Sequence, residues 1–263
     1  MSDGVPKFLL PDWPVAGRVR AAVTLRAGGV SCGPYGSLNL AAHVGDRPAD
    51  VAENRRRLHA ALSLPAEPLW LAQMHGTTVV DADARQGPAG VEGLASLSRR
   101  PPQADGAVTR RPGCVLAVMV ADCLPVLLAR RDGAAVAVAH AGWRGLAAGV
   151  LESAVGALDS PPGALCAWLG PAIGPAHFEV GVEVRAAFCD RDPGARAAFA
   201  ANARGRWQCD LPVLARRRLA TLGLTEVYGG APCTFSQPER FYSYRREQLT
   251  GRFAALLWID PNA

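Results

Sequence analysis

Two short segments of this chain carry side chains that can bind a metal or act as nucleophile and base. They are Ala121-Asp122-Cys123-Leu124-Pro125 and Ala139-His140-Ala141-Gly142-Trp143-Arg144-Gly145. A third, Gln73-Met74-His75-Gly76, adds another imidazole. One thiol and two imidazoles suit a zinc ion, and three protein ligands leave a fourth position free for water or substrate. A cysteine next to a histidine also suits a nucleophile with its base. Each residue alone has a plainer reading: a small buried hydrophobe for Cys123, a hydrogen-bonded core residue for His75 or His140. The apolar runs that precede them, Cys114–Val120, Ala134–Val138 and Pro68–Ala72, change the balance. Each reads as a buried strand, the first two side by side, so that Cys123, His140 and His75 would all sit at strand ends. Structural zinc sites close with four ligands, often at short spacing; ligands from three separate strands point to an open, catalytic ion.

The residues after His140 suggest an anion site. Gly142 and Gly145 frame a strand-to-helix turn, where backbone N–H groups and a helix N-terminus favour negative charge. Arg144 can add a bidentate contact to phosphate or carboxylate there, or simply pair with a nearby acid at the surface. Trp143 is either a packing residue or a face for an aromatic ring. The segment Phe241-Tyr242-Ser243-Tyr244-Arg245-Arg246-Glu247, followed by Thr250-Gly251-Arg252, is rich in Tyr and Arg for a core segment. It suits a pocket for a planar, polar or anionic ligand, with Arg245 among the contacts. Weaker polar candidates are the loop Arg26-Ala27-Gly28-Gly29-Val30-Ser31, Asn39 in Ser37-Leu38-Asn39-Leu40, and Gln73 ahead of His75.

A mixed array of short strands and helices must position these side chains. With 263 residues, 49% hydrophobic and 19% charged, the chain can bury a sizeable core. Residues 1–18 hold three prolines and read as an irregular lead-in; residues 19–263 read as one catalytic α+β domain of layered mixed sheets flanked by helices. Strands are expected at Val19–Leu25, Ala164–Leu169 and, as strand or helix, Arg252–Ile259. Helices are expected at Val51–Leu62 with Asp50 as N-cap, Leu146–Leu158, Val182–Ala201 and Leu211–Leu222. Arg85–Gln103 lacks an apolar period and is expected to be a mobile surface loop.

Composition excludes several classes. No apolar run approaches the ~18 residues that span a bilayer, and the N-terminus lacks a secretory pattern, so a soluble cytoplasmic protein without membrane partners is expected; a monomer is expected too, although nothing in the sequence fixes the oligomeric state. Seven cysteines, without a CxxC pair, read as reduced core residues rather than a disulfide framework. Lys7 is the only lysine, which removes Walker-type and Schiff-base chemistry. The arginine clusters Arg55-Arg56-Arg57 and Arg216-Arg217-Arg218 fall in helix-like stretches and read as solvated faces rather than a nucleic-acid patch.

The chain resembles the YfiH family, also called laccase-domain-containing. The resemblance rests on Gly28-Gly29-Val30-Ser31 with Ser37-Leu38-Asn39-Leu40, Gln73-Met74-His75-Gly76, Ala104-Asp105-Gly106, Ala121-Asp122-Cys123, His140 to Gly145, Gly170-Pro171-Ala172-Ile173-Gly174 and Phe241 to Arg246. These motifs occur in the family's order over about residues 15–260. The resemblance implies an α+β fold related to a toxin deamidase domain with a catalytic Cys–His pair. It implies a zinc site at His75, Cys123 and His140. It also implies phosphorolysis of adenosine, inosine, guanosine and methylthioadenosine, with some adenosine deamination. Ala176-His177-Phe178 stands where many members carry Cys-Cys-Tyr, a departure that leaves the three ligands untouched.

Three readings compete with a zinc-dependent purine nucleoside phosphorylase acting on nucleosides and orthophosphate. A multicopper oxidase could use His75, Cys123 and His140 as a two-His, one-Cys copper site. It would also need a trinuclear cluster, and the whole chain has only five histidines. A cysteine hydrolase or amidase, acting for example on peptidoglycan precursors, would use Cys123 as nucleophile and His140 as base. A scaffold protein would need no open ligand position. The phosphorylase reading makes Arg144 the phosphate contact, with Asn39, Gln73 and Arg245 as further substrate contacts.

Overall fold

The computed structural model describes residues 4–84 and 100–263. The loop expected over Arg85–Gln103 lies outside the described residues as far as Arg99. Two sheets pack face to face. In the four-stranded sheet the order is Phe8–Leu9, Val19–Thr24, Phe253–Ile259 and Val115–Val120, antiparallel throughout. In the six-stranded sheet it is Val227–Gly229, Leu165–Leu169, Leu124–Arg130, Val136–Ala141, Gly106–Thr109 and Val79–Asp81. That sheet is antiparallel at its centre and parallel at its two outer pairs. A small three-stranded sheet joins Phe199–Ala201, Trp207–Cys209 and Glu179–Val180.

The central strands are apolar at nearly every position because both of their faces are covered. Leu116, Val118 and Val120 point into the space between the sheets, where they meet Leu127, Val136, Val138, Phe253 and Leu257. Their neighbours Val115, Ala117 and Met119 point outward to Leu38, Leu40, Trp70 and Leu58 of the helix Pro48–Leu62. The opposite face of the large sheet, with Leu124, Val126, Leu128 and Ala139, packs on Leu146, Leu151, Phe188 and Leu214. These belong to the helices Trp143–Ala148, Val150–Ala157, Val182–Cys189 and Leu211–Thr221. Leu127 pairs with Val138 across the sheet and both are fully buried; truncating such a leucine to alanine costs about 2–5 kcal/mol.

Several boundaries differ from the sequence reading. The lead-in is not wholly irregular: Phe8–Leu9 pairs with Val23 and Thr24. The first helix starts at Pro48 with Arg47 at the N-cap, so Asp50 sits in its first turn instead of capping it. The helix expected at Leu146–Leu158 begins at Trp143 and breaks at Gly149, whose φ of 111° lies in the left-handed region. The helix expected at Val182–Ala201 ends at Cys189, because Pro193 lacks the N–H to continue it. Its remainder is a 3-10 turn over Pro193–Ala198, capped by Asp192, and the strand Phe199–Ala201. Pro68–Ala72 forms only isolated bridges, Leu69 with Leu116 and Ala72 with Gln103.

Among the described residues no cysteine is in a disulfide; Cys114, Cys166, Cys189 and Cys209 are core residues, whereas Cys32 is exposed and Cys123 and Cys233 are partly buried. Burial pushes the thiols of Cys166 and Cys209 up to about 11 and about 12, marking them as inert core residues. Among the described residues no helix is long and apolar enough to cross a membrane.

Candidate metal centre and its cavity

The chain crosses from the four-stranded sheet to the six-stranded one at Ala121-Asp122-Cys123, between the strands Val115–Val120 and Leu124–Arg130. The strands before Cys123 and before His140 are therefore not side by side in one sheet. Instead Cys123 opens the strand Leu124–Arg130, which pairs antiparallel with Val136–Ala141, Leu124 facing Ala141 and Pro125 facing His140. Antiparallel register brings the start of one strand to the end of the other, and so Cys123 meets His140. His75 arrives from a loop, with φ of 58°.

Donor atoms of His75, Cys123 and His140 all lie within 4.8 Å of one another. The two imidazole rings meet edge to face, their centroids 4.7 Å apart. Donors around a tetrahedral ion at ~2.0–2.3 Å would be ~3.3–3.8 Å apart, so the set is close to the spacing that zinc requires. Gly142 fits between the ligands: a Cβ there would meet His75 Nδ1 at 2.8 Å and Cys123 Sγ at 2.9 Å.

Behind the ligands lies a carboxylate to which sequence reasoning assigned no role. Asp105 is 1% exposed. Its Oδ1 accepts hydrogen bonds from His140 Nδ1 at 2.8 Å and from the His75 backbone N–H at 2.9 Å. Its Oδ2 accepts the backbone N–H groups of Met74 and Gly76. One carboxylate thus holds the His75 loop in its left-handed turn and places the proton of His140 on Nδ1, leaving Nε2 as the lone-pair donor. Burial opposes ionisation of Asp105, but these bonds, led by that from His140, outweigh it and hold its pKa below the usual carboxylate value. Burial likewise opposes the imidazolium of His140. The Cys123 charge and hydrogen bonds to Asp105 and Cys123 overcome it and raise its pKa to about 9 in the metal-free protein. Burial, together with the charge of His140, lowers the pKa of His75.

Asp122 holds the cysteine. Its φ of 98° is costly for a residue with a side chain, and the surroundings over-determine it. The Thr234 hydroxyl donates to Oδ1 at 2.6 Å, the Arg245 N–H to Oδ2 at 2.6 Å, and the Ile173 N–H to the Asp122 carbonyl at 2.9 Å.

The three metal-competent side chains open onto a cavity of about 480 Å³, within the size range of small-molecule sites. Its walls include Trp143, Phe178, Tyr244 and Leu211, with Arg144, Arg245, Arg252 and His43 as the basic groups. Each arginine lies over an aromatic ring: Arg144 over Trp143 at 4.5 Å, Arg245 over Phe178 at 5.3 Å and Arg252 over Tyr244 at 5.8 Å. Asp122 is the one carboxylate in the lining, and its oxygens are occupied as described. The cavity thus combines flat apolar faces with positive charge.

Of the residues proposed from sequence, His75, Cys123, His140, Arg144, Gln73 and Arg245 line this cavity. Both ends of the Gln73 amide are bound to the Met119 backbone at 2.8 Å, and Arg245 Nη1 donates to the Glu179 carbonyl. Asn39 is elsewhere: it is fully buried and bonds Asp46, Ala41 and the Arg252 N–H, holding two loops together. His177, in the departure from the family motif, stacks on Phe235 at 4.4 Å and is not part of the lining. Sequence reasoning did not single out Asp105, Asp122 or His43; Arg252 lay in the Tyr- and Arg-rich segment read as a pocket wall but was not named as a contact. The first two were visible as short acidic motifs, but nothing local distinguished them from turn residues.

The description "multi-copper polyphenol oxidoreductase laccase" matches residues 20–260. A purine nucleoside phosphorylase of Pseudomonas aeruginosa is 52% identical over 254 residues, 96% of this chain and 98% of that one. The purine nucleoside phosphorylase YfiH of Escherichia coli is 48% identical over 253 residues, 96% and 99% of the two chains. Among solved structures, a Neisseria meningitidis protein of family DUF152 superposes with a TM-score of 0.88 at 45% identity, covering 96% and 99%. YlmD from Geobacillus stearothermophilus gives 0.87 at 30% identity, covering 96% of each chain.

Proposed function

The chain belongs to the YfiH laccase-domain family, and on that premise we propose that it is a zinc-dependent purine nucleoside phosphorylase. Its substrates would be adenosine, inosine, guanosine and methylthioadenosine, with adenosine deamination as a side activity. The observation that carries this reading is the His-Cys-His cluster opening onto a cavity with aromatic walls and arginines that no carboxylate among the described residues pairs. Such a cavity accommodates a planar base and a phosphate together.

Phosphorolysis joins a phosphate oxygen to C1′ of the ribose and breaks the bond from C1′ to N9. The electron pair leaves with the purine, which takes up a proton, and the products are ribose 1-phosphate and free base. Trp143, Phe178 and Tyr244 would stack the purine. Arg144 would hold the phosphate through its own charge, since the six-residue helix around it supplies little dipole. His75, Cys123 and His140 would hold zinc, whose contribution is Lewis acidity at neutral pH. Asp105 would keep His140 in the ligand tautomer through its 2.8 Å bond to Nδ1.

The test is a product assay on metal-loaded protein. Adenosine with phosphate should give adenine and ribose 1-phosphate, and removal of phosphate should abolish both. No phosphate-dependent adenine from a zinc-replete sample would sink the proposal.

One observation favours a second reading. Cys123, His140 and Asp105 form a nucleophile, base and orienter in sequence of contact, as in a cysteine hydrolase. Full activity after complete zinc removal would support that reading instead. The copper-oxidase reading gains nothing comparable. Of the five histidines, His59 lies in the helix Pro48–Leu62 and His177 stacks on Phe235, leaving only His43 near the centre.

A further inference from the structure

We infer that Arg252, together with His43, forms the anion-binding wall of the cavity and holds the phosphate co-substrate; this rests on the phosphorylase reading above.

Arg252 is the most deeply anchored of the cavity arginines. Its Nη1 donates to the carbonyls of Thr250 and Gly251 at 2.9 and 3.0 Å. These bonds fix the guanidinium while leaving Nε and Nη2 without a protein partner among the described residues. Its own backbone N–H donates to Asn39 Oδ1 at 2.9 Å, tying the residue to the fully buried Asn39. Among the described residues it has no ion pair, although it is partly buried. Burial of the guanidinium is costly; the charges of Cys123 and Asp122 offset only part of that cost, so its pKa stays lowered, and an arriving anion offsets more. Asp122, the one carboxylate in the lining, is already bound by Thr234 and Arg245. The Arg252 guanidinium carbon lies 5.8 Å from the centroid of the Tyr244 ring.

The other arginines are less suited. Arg245 spends Nη1 on Glu179. Arg144 is exposed and, among the described residues, has no hydrogen bond that would fix it. Its charge can therefore close over a phosphate but does not pre-form a seat for one. His43 completes the wall. At the rim of the cavity, partial loss of solvent around the ring, with the charges of Arg252 and Arg55, lowers its pKa and favours the neutral ring. A neutral imidazole offers one acceptor and one donor, which match the P–OH and the P–O⁻ of hydrogen phosphate. Arg252 binds the charge; His43 reads the proton.

Phosphate binding can be measured without turnover. Inorganic phosphate is titrated calorimetrically into the metal-loaded wild type, R252Q, R252K and H43A, at constant ionic strength and matched metal content. R252Q should bind phosphate at least tenfold more weakly, R252K should recover part of the loss, and H43A should bind at least threefold more weakly. An unchanged midpoint in R252Q overturns the inference, as does a wild type that binds no phosphate. If R252Q fails to fold, H43A decides, because His43 is exposed and its replacement leaves the core intact; an unchanged midpoint there also overturns it. A wild type that binds phosphate through Arg252 but cleaves no nucleoside would remove the phosphorylase reading and leave the anion wall standing. Phosphate-dependent cleavage with an unaltered phosphate KM in R252Q would do the reverse.

Discussion

Asp105 and His140 share a hydrogen bond of 2.8 Å that is buried on both sides, the carboxylate 1% and the imidazole 3% exposed. The same oxygen also takes the N–H of His75. Two of the three metal-competent side chains are thus oriented by one carboxylate, and the third, Cys123, is oriented by Asp122 next to it in the chain.

Replacement of Asp105 by asparagine should expose this dependence. The amide keeps the shape but offers a single acceptor, so either His140 or the loop Met74–Gly76 loses its partner. Metal affinity should fall about 10–100-fold. Chelator competition measures this directly, and unchanged affinity in a folded D105N protein would show that Asp105 does not orient the ligands.

Cys123→Ala separates ligand from nucleophile. A thiolate ligand predicts that zinc content and nucleoside cleavage are lost together. Lost activity at full zinc occupancy would assign Cys123 to covalent catalysis.

Gly142→Ala should empty the centre without unfolding the protein. Gly142 has φ −61° and ψ 156°, a conformation open to alanine, so backbone strain is not at issue. The added methyl would lie 2.8 Å from His75 Nδ1 and 2.9 Å from Cys123 Sγ, inside contact distance. Metal analysis and a thermal melt on the same sample check the prediction; full metal content in G142A contradicts it.

Arg144→Ala should raise the apparent phosphate KM about tenfold, since a charge-assisted contact is worth roughly 1.5–3 kcal/mol. Adenosine deamination, which needs no phosphate, should fall less at matched zinc content. Equal losses in both reactions would leave Arg144 a structural residue.

Much of the architecture was legible in the sequence because burial on both faces writes unbroken apolar runs. Cys114–Val120 and Ala164–Leu169 read as strands and are strands, Val115–Val120 and Leu165–Leu169. Arg252–Ile259, left open between strand and helix, became the strand Phe253–Ile259 only through its two antiparallel neighbours. Helix ends were less legible where a single residue decides: Pro193 and Gly149 each ended a helix within an otherwise helical pattern.

The sequence by itself determined which residues could do chemistry, for thiol and imidazole are properties of Cys123, His75 and His140 wherever they lie. It did not determine that the strand leading to Cys123 and the strand bearing His140 belong to different sheets. Only the antiparallel register of Leu124 with Ala141 brings those side chains together. Tertiary structure also assigned the supporting residues. Asp105 is 35 residues from His140 and Asp122 is 112 from Thr234 along the chain. Arg252 lines the same cavity as His43 although they come from opposite ends of the sequence. Local propensity acts over a few residues; hydrogen bonds and burial at such separations exist only once the sheets have closed.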